Sequence, residues 1–331
     1  MKIRDLSEDQ LLARILPHLP RGPRTVVGPG DDCAVVAVPE GRIIVTTDVL
    51  MDVLDFCRTW SLPQQVGARV VAQNLADIAG MGGRAIAVLS AVVVPPDTDV
   101  EWLQGVVDGV AQAVEATGAG MVGGDLSGGE QFSIGLTVIG VCDQEPVLRS
   151  GAQPGDVLAI AGTLGFSGTG LELLAGGHID GTWHGDQLPD LLRSYVETYR
   201  VPTPPLQAGP LAAQAGAHAM MDVSDGLVMD ANRVARASHV DIELDHDQLT
   251  FFVDRIRAGA DVAGMDPWHL VLTGGEDHPM MAAFDPTTSL PAGFHAIGRV
   301  VQASNAEQPQ VRLGGHVLSH GGFDHFRHEC N

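Results

Sequence analysis

GPGDDCAVVAVPEGRIIVTTD, residues 28–48, joins a glycine-proline-glycine turn to two apolar runs and three aspartates. Asp31 and Asp32 follow the turn. The runs, broken at Pro39-Glu40-Gly41, predict two strands. Asp48 is expected to end the second strand, IIVTTD, behind the hydroxyls of Thr46 and Thr47. Acids recur in similar settings: Asp77 in QNLADIAGMGG, Asp125 in VGGD, Asp222 and Asp225 in DVSDG, and Glu276 and Asp277 in GGED. Carboxylates presented beside glycines and strand ends suit a site for hard cations. Each motif alone has a plainer reading. Gly, Pro and Asp favour turns, TTD reads equally as a helix N-cap, and DVSDG as a cap. Only the set points to chemistry.

The chain has 331 residues, which predicts two domains. Apolar residues make up 45% and glycines number 41, the composition of a folded chain with many tight turns. No apolar run reaches the roughly 18–20 residues of a membrane span, and the N-terminus reads as an amphipathic helix without a signal-peptide pattern. Cys33, Cys57, Cys142 and Cys330 form no CxxC pair, so neither a disulfide framework nor a zinc site is indicated. A cytoplasmic location is expected. Acids outnumber bases 41 to 19, for a net charge of −22, which argues against nucleic acid as a partner. Lys2 is the only lysine. A P-loop lysine, a kinase strand lysine and a Schiff base are thereby excluded. Phosphate handling would fall to backbone N–H groups, arginines and carboxylate-held Mg²⁺.

Along the chain, residues 5–18 predict a helix, 21–32 a loop and 63–80 a buried helix opening at Pro63. Arg69, Gln73 and Asp77 lie four apart and share one face of that helix. A carboxylate there needs a partner, either a cation or Arg69. Residues 85–94 predict a strand, 99–117 an amphipathic helix, and MVGGD a short strand with Asp125 at its end, where open α/β sheets place ligands. Residues 132–141 form a further strand, and RSGAQPGD (149–156) is a loop. The domains are expected to span 1–148 and 149–331. In the second half a helix is expected over 206–216. DVSDG feeds another helix, and HLVLTGGEDH reads as strand, glycine turn and acids. HGDQ and HDQ read as surface loops. The fold class is α/β (α+β mixed).

In order, GPGDD, TTD, NLADIAGMG, GGD, RSGAQPGD, DVSDGL and GGED resemble the thiamine-monophosphate kinase family of the aminoimidazole-ribonucleotide synthetase superfamily. The likeness runs from Gly28 to the closing GGFDHF. It implies a two-domain fold, an N-terminal α/β domain that pairs in a homodimer and a C-terminal α/β domain closing over nucleotide and substrate. It implies ATP-dependent phosphorylation of thiamine monophosphate to thiamine diphosphate by direct in-line transfer with several Mg²⁺ ions. Asp32, Thr46, Thr47, Asp48, Asp77, Asp125, Asp222 and Asp225 match metal positions. Gly124, Asp125, Arg149 and Ser224 match ATP contacts, and Glu276 and Phe323 match positions facing the thiamine substrate. Val53 stands where the family carries a glycine and Asp55 where it carries a substrate-contacting histidine. GGEDHPM departs from GGEDYEL at His278 and Pro279, and PTPP lacks the arginine of PxPR. Those departures keep open a superfamily paralogue with another acceptor, or a non-catalytic nucleotide- or metal-binding homologue.

Overall fold

The computed structural model describes residues 1–2, 5, 14–27, 35–39, 41–305 and 307–318. The GPGDD turn lies outside them. So does most of the predicted first helix, of which the described end closes in a 3₁₀ turn at Leu16–His18. Two compact units divide the chain: Met1–Ile78 with Gly83–Asp143, and Ala79–Gly82 with Gln144–Asn331.

In the first unit β1 (Thr25–Val27) pairs antiparallel with β2 (Val35–Val36). The expected loop at 21–32 thus contains a strand, formed by its β-branched Thr-Val-Val run. Next come β3 (Ile44–Met51), α1 (Pro63–Gly80), β4 (Arg84–Val94), α2 (Val100–Glu115), β5 (Gly120–Gly128) and β6 (Ser133–Val141). The sheet order is β3-β6-β4-β5. Ile134, Leu136 and Val138 of β6 are buried, while Ser133, Gly135, Thr137 and Ile139 between them are partly exposed. That alternation marks a sheet covered on one face. Val106, Val110 and Val114 form the buried stripe of α2. Helices α1 and α2 cross with backbones touching: a Cβ on Gly67 would meet the Val106 carbonyl oxygen at 2.1 Å, and one on Gly109 the Gln64 carbonyl oxygen at 2.1 Å.

The second unit contains β7 (Val157–Ala161), α3 (Phe166–Ala175), α4 (Asp190–Arg200), α5 (Ala208–Gln214), β8 (Ala219–Asp222), α6 (Leu227–Ser238) and β9 (Val240–Leu244). It continues with α7 (His246–Ala263), α8 (Pro267–Thr273), β10 (Met280–Phe284), β11 (Phe294–Gln302), β12 (Val311–Leu313) and β13 (His316–Val317). Among the described residues its sheet runs β13-β12-β9-β11-β7-β10-β8, antiparallel except between β12 and β9. Tyr195 of α4 packs its ring against Phe166 of α3 at 5.1 Å between centroids, and its hydroxyl donates to the Arg255 carbonyl of α7.

Several element expectations change. Asp48 does not end a strand, because β3 continues through Val49, Leu50 and Met51 in register with Gly135, Ile134 and Ser133. Asp125 likewise lies inside β5, which runs on to Gly128 beside β4. HLVLT is not a strand: Pro267 starts α8, and the Asp266 side chain accepts from Trp268 N–H at 3.0 Å. HDQ is not a loop either. It opens α7, where the Asp245 carboxylate accepts from Asp247 and Gln248 N–H.

Candidate active site

The first unit brings three candidates together. On a strand, residues two apart share a face, so Thr46 and Asp48 both point from β3 toward α1. The Thr46 hydroxyl donates to Asp77 Oδ2 at 2.6 Å, and the Gln73 amide donates to Asp48 Oδ2 at 2.6 Å. The stripe of α1 thus meets β3 through Gln73 and Asp77. Thr47 takes the other face, donating to the Leu136 carbonyl at 2.9 Å and accepting from the Thr137 hydroxyl at 3.2 Å.

Gly124 stands level with Asp48 across the sheet, through Leu136 and Ser90. Three strand spacings separate them, roughly 14 Å. The GGD motif is therefore strand rather than turn. Asp125 pairs with Ala91 on the face of Thr47, is exposed, and accepts from the Ser127 hydroxyl at 2.9 Å. The structure does not bring it to Asp48 and Asp77. Among the described residues no three acids, histidines or cysteines gather into a group that would hold one ion. Asp32 and Phe323 lie outside the described residues.

The second unit gathers the rest where two turns are stitched together. The turn from β8 to α6 carries Asp222, Ser224 and Asp225, and the segment from α8 to β10 carries Glu276, Asp277 and His278. Glu276 N–H donates to the Ser224 carbonyl at 2.8 Å, and Val223 N–H to the Pro279 carbonyl at 2.9 Å. Gly226 holds φ +109, and a Cβ there would meet the Thr273 carbonyl oxygen at 2.5 Å. Asp222 is buried at the end of β8, and the ring of buried His278 donates Nδ1–H to its Oδ2 at 3.0 Å. Nε2 of the same ring lies 3.9 Å from Glu276 Oε2. Glu276 and His278 both adopt left-handed backbone, with φ +67 and +51. Side chains rarely accept that conformation except where surroundings impose it.

Two acids of this region are structural. Asp277, fully enclosed, accepts from the Thr163 hydroxyl at 2.7 Å and from Phe166 and Ser167 N–H, so it caps the start of α3 from another element. Burial pushes its carboxyl up to about 6 against those hydrogen bonds. Asp230, in the first turn of α6, accepts from Asp225 N–H at 3.0 Å and pairs with Arg233. Arg233 also holds Asp225 Oδ2 at 2.6 Å. Gln73 and Arg233, which hold candidate carboxylates, carry no motif of their own in the sequence. The four-residue spacing of Gln73 from Asp77 was the one available signal.

The altered segment after β3 closes on itself. Asp55 Oδ2 accepts from Met51 N–H at 2.7 Å, its own N–H donates to the Met51 carbonyl at 3.0 Å, and Asp52 pairs with Arg58 at 2.6 Å. Val53 is 83% exposed at φ +73. A β-branched residue there is strained with no burial in return. Val53→Gly should stabilise the protein by about 1 kcal/mol, the relieved strain exceeding the added chain entropy of glycine. A thermal melt that shifts downward would reject the strain.

The AIR synthase related protein N-terminal domain family matches residues 30–142, and the AIR synthase related protein C-terminal domain family matches residues 153–284. The thiamine-monophosphate kinase of Mycobacterium tuberculosis (strain ATCC 25618 / H37Rv) is 40% identical over 300 residues, covering 90% of this chain and 86% of that protein. The solved thiamine monophosphate kinase of Aquifex aeolicus superposes with a TM-score of 0.75 at 27% identity, over 96% of this chain and 99% of its own. AaThiL complexed with AMPPCP and TMP gives 0.74 at 28% identity, over 97% and 98%. No helix among the described residues is long and apolar enough to cross a membrane. With that identity held over 90% of its length and both domains present in order, this chain belongs to the thiamine-monophosphate kinase family.

Proposed function

We propose that this protein transfers the γ-phosphoryl group of ATP directly, in line, to thiamine monophosphate, giving thiamine diphosphate. The observation that carries the reading is the likeness, over nearly the whole chain, to a kinase structure holding AMPPCP, an ATP analogue, together with TMP. The residues fit such chemistry. Thr46, Asp48 and Asp77 in one unit, and Asp222, Ser224 and Asp225 in the other, offer oxygen donors, the set that suits Mg²⁺ rather than a softer metal. Asp32, Thr46, Thr47, Asp48, Asp77, Asp125, Asp222 and Asp225 are the residues that would hold several ions. When bound, Mg²⁺ would neutralise charge on the transferring phosphoryl group. The chain's own residues supply the remainder. Gly124 and Ser224 would contact the nucleotide, and Arg149 would offer a guanidinium to phosphate in a chain with a single lysine. Glu276 and Phe323 are assigned to the thiamine side. Charge placement and orientation then carry the catalysis, since this transfer needs little covalent help.

In this reading residues 1–148 bind metal and nucleotide and form a homodimer, and residues 149–331 close over nucleotide and substrate. The dimer is supported by β3, whose Val45 and Val49 are half exposed to either side of Thr47. A cytoplasmic location follows from the reaction's need for ATP.

A second acceptor is kept in view by the segment at Val53–Asp55. Asp55 turns its carboxylate onto Met51 N–H, so its charge serves the loop, and it would reach a substrate only by leaving that hydrogen bond. Purified protein incubated with ATP, Mg²⁺ and thiamine monophosphate should form thiamine diphosphate and ADP one to one, with KM between about 1 μM and 1 mM. If ATP binds and no diphosphate forms, the thiamine reading fails. Phosphorylation of another acceptor would then assign a paralogue, and none at all a non-catalytic homologue.

A further inference from the structure

Helix α6 is tied to candidate residues at both ends. It begins at the turn carrying Asp222, Ser224 and Asp225. Its last residue, Ser238, reaches the loop of Arg149. The Ser238 hydroxyl accepts from Gly151 N–H at 3.1 Å and from Ala152 N–H at 3.2 Å, and donates to the Arg149 carbonyl at 3.0 Å. A serine hydroxyl has one hydrogen and two lone pairs, so its bonding capacity is used up in this loop.

These contacts have two consequences. First, the Gly151 and Ala152 amides are occupied, so the loop does not form a nest of free N–H groups for an anion. With those two amides engaged, the exposed Arg149 side chain is the cation this loop offers to phosphate. Second, the backbone is held on both sides of Ser150. Met220 N–H adds a bond to the Leu148 carbonyl at 2.9 Å, and a Cβ on Gly151 would meet the His218 carbonyl oxygen at 2.4 Å. The direction in which the Arg149 side chain leaves the loop is therefore set, largely by one hydroxyl at the end of α6.

We propose that Ser238 is a positioning residue for nucleotide binding, acting through Arg149 by fixing the backbone that presents its guanidinium to phosphate. The inference rests on the reading of Arg149 as an ATP contact. Preorganisation of a charged side chain lowers the entropy lost on binding, so its effect should fall on affinity rather than on the chemical step.

The test is a double-mutant cycle with Ser238→Ala, Arg149→Met and the pair, reading KM for ATP, kcat, the Kd of AMPPCP by calorimetric titration, and Tm. Arg149→Met should raise KM and Kd by about tenfold or more, and Ser238→Ala by about three- to tenfold with kcat unchanged. Ser238→Thr, which keeps the hydroxyl, should restore the wild-type values. In the Arg149→Met background, Ser238→Ala should have no further effect on Kd, as expected of residues acting as a unit. Equal Ser238→Ala effects in both backgrounds, or a lowered Tm with Kd unmoved, would make Ser238 a structural staple and overturn the proposal alone. An Arg149→Met variant with wild-type Kd would overturn the reading of Arg149 and the proposal together.

Discussion

Asp48→Asn lowers kcat for phosphoryl transfer by about 10²–10³-fold while Tm stays where it is. The reason lies in what the side chain touches. Asp48 sits in the middle of β3, exposed, with Oδ1 accepting from Val49 N–H at 2.9 Å and Oδ2 from the Gln73 amide. An asparagine keeps the shape and one acceptor oxygen, so one of these two hydrogen bonds is lost at an exposed position, and substitution at such a site changes stability by about 0.5 kcal/mol. What it loses is the negative charge, which a bound cation needs and the fold does not. The apparent Mg²⁺ requirement should rise in parallel, read by titrating Mg²⁺ at saturating ATP. Asp125→Asn should behave likewise, although Asp125 stands across the sheet from Asp48. Full activity in both variants would remove these two carboxylates from metal binding.

Arg233→Met destabilises the metal-free protein by about 3 kcal/mol at pH 8, near the lower end of the cost of breaking a buried ion pair. Methionine replaces the stem volume, so the loss reads charge rather than packing. Arg233 forks between Asp225 and Asp230, and Asp230 is wholly buried. Burial pushes the Asp230 carboxyl up to about 7, against the downward pull of Arg233. Because that value lies above the unfolded-state pKa, the folded protein binds more protons, and stability falls as pH rises between the two. Removing the guanidinium pushes Asp230 higher still and extends that window upward. The gap between variant and wild type should therefore be wider at pH 8 than at pH 6. Urea unfolding in chelator at both pH values measures it. An equal gap at both would mean that Arg233 acts on Asp225 alone.

Local signals carried most of the fold. β4, β6 and α2 follow from β-branched runs and from the four-residue spacing of Val106, Val110 and Val114. The errors have physical causes. Asp48 and Asp125 looked like strand ends because polar and glycine residues interrupt the apolar pattern there, yet pairing with β6 and β4 carries both strands onward. HLVLT is as apolar as a strand, and only the Asp266-Pro267 start distinguishes it as α8. The site was legible in part. Asp48 and Asp77 were singled out from sequence and share one hydrogen-bonded arrangement with Thr46 and Gln73. That Asp277 caps a distant helix was not legible, because a tertiary cap leaves no mark at its own position in the chain. Nor was the placement of Asp125 on the face opposite Thr46 and Asp48, which depends on register across four strands.

The strand order of the second unit also dictates when its centre can form during synthesis. β7 lies between β10 and β11, so a segment made at residues 157–161 waits for partners at 280–284 and 294–302. The first unit's sheet, by contrast, is complete once residue 141 has emerged. A ribosome-bound chain therefore carries a finished N-terminal sheet while an apolar strand, VLAIA, is still unpaired behind it. Pairing over such sequence distances is slow, and it is in that interval that aggregation competes with folding.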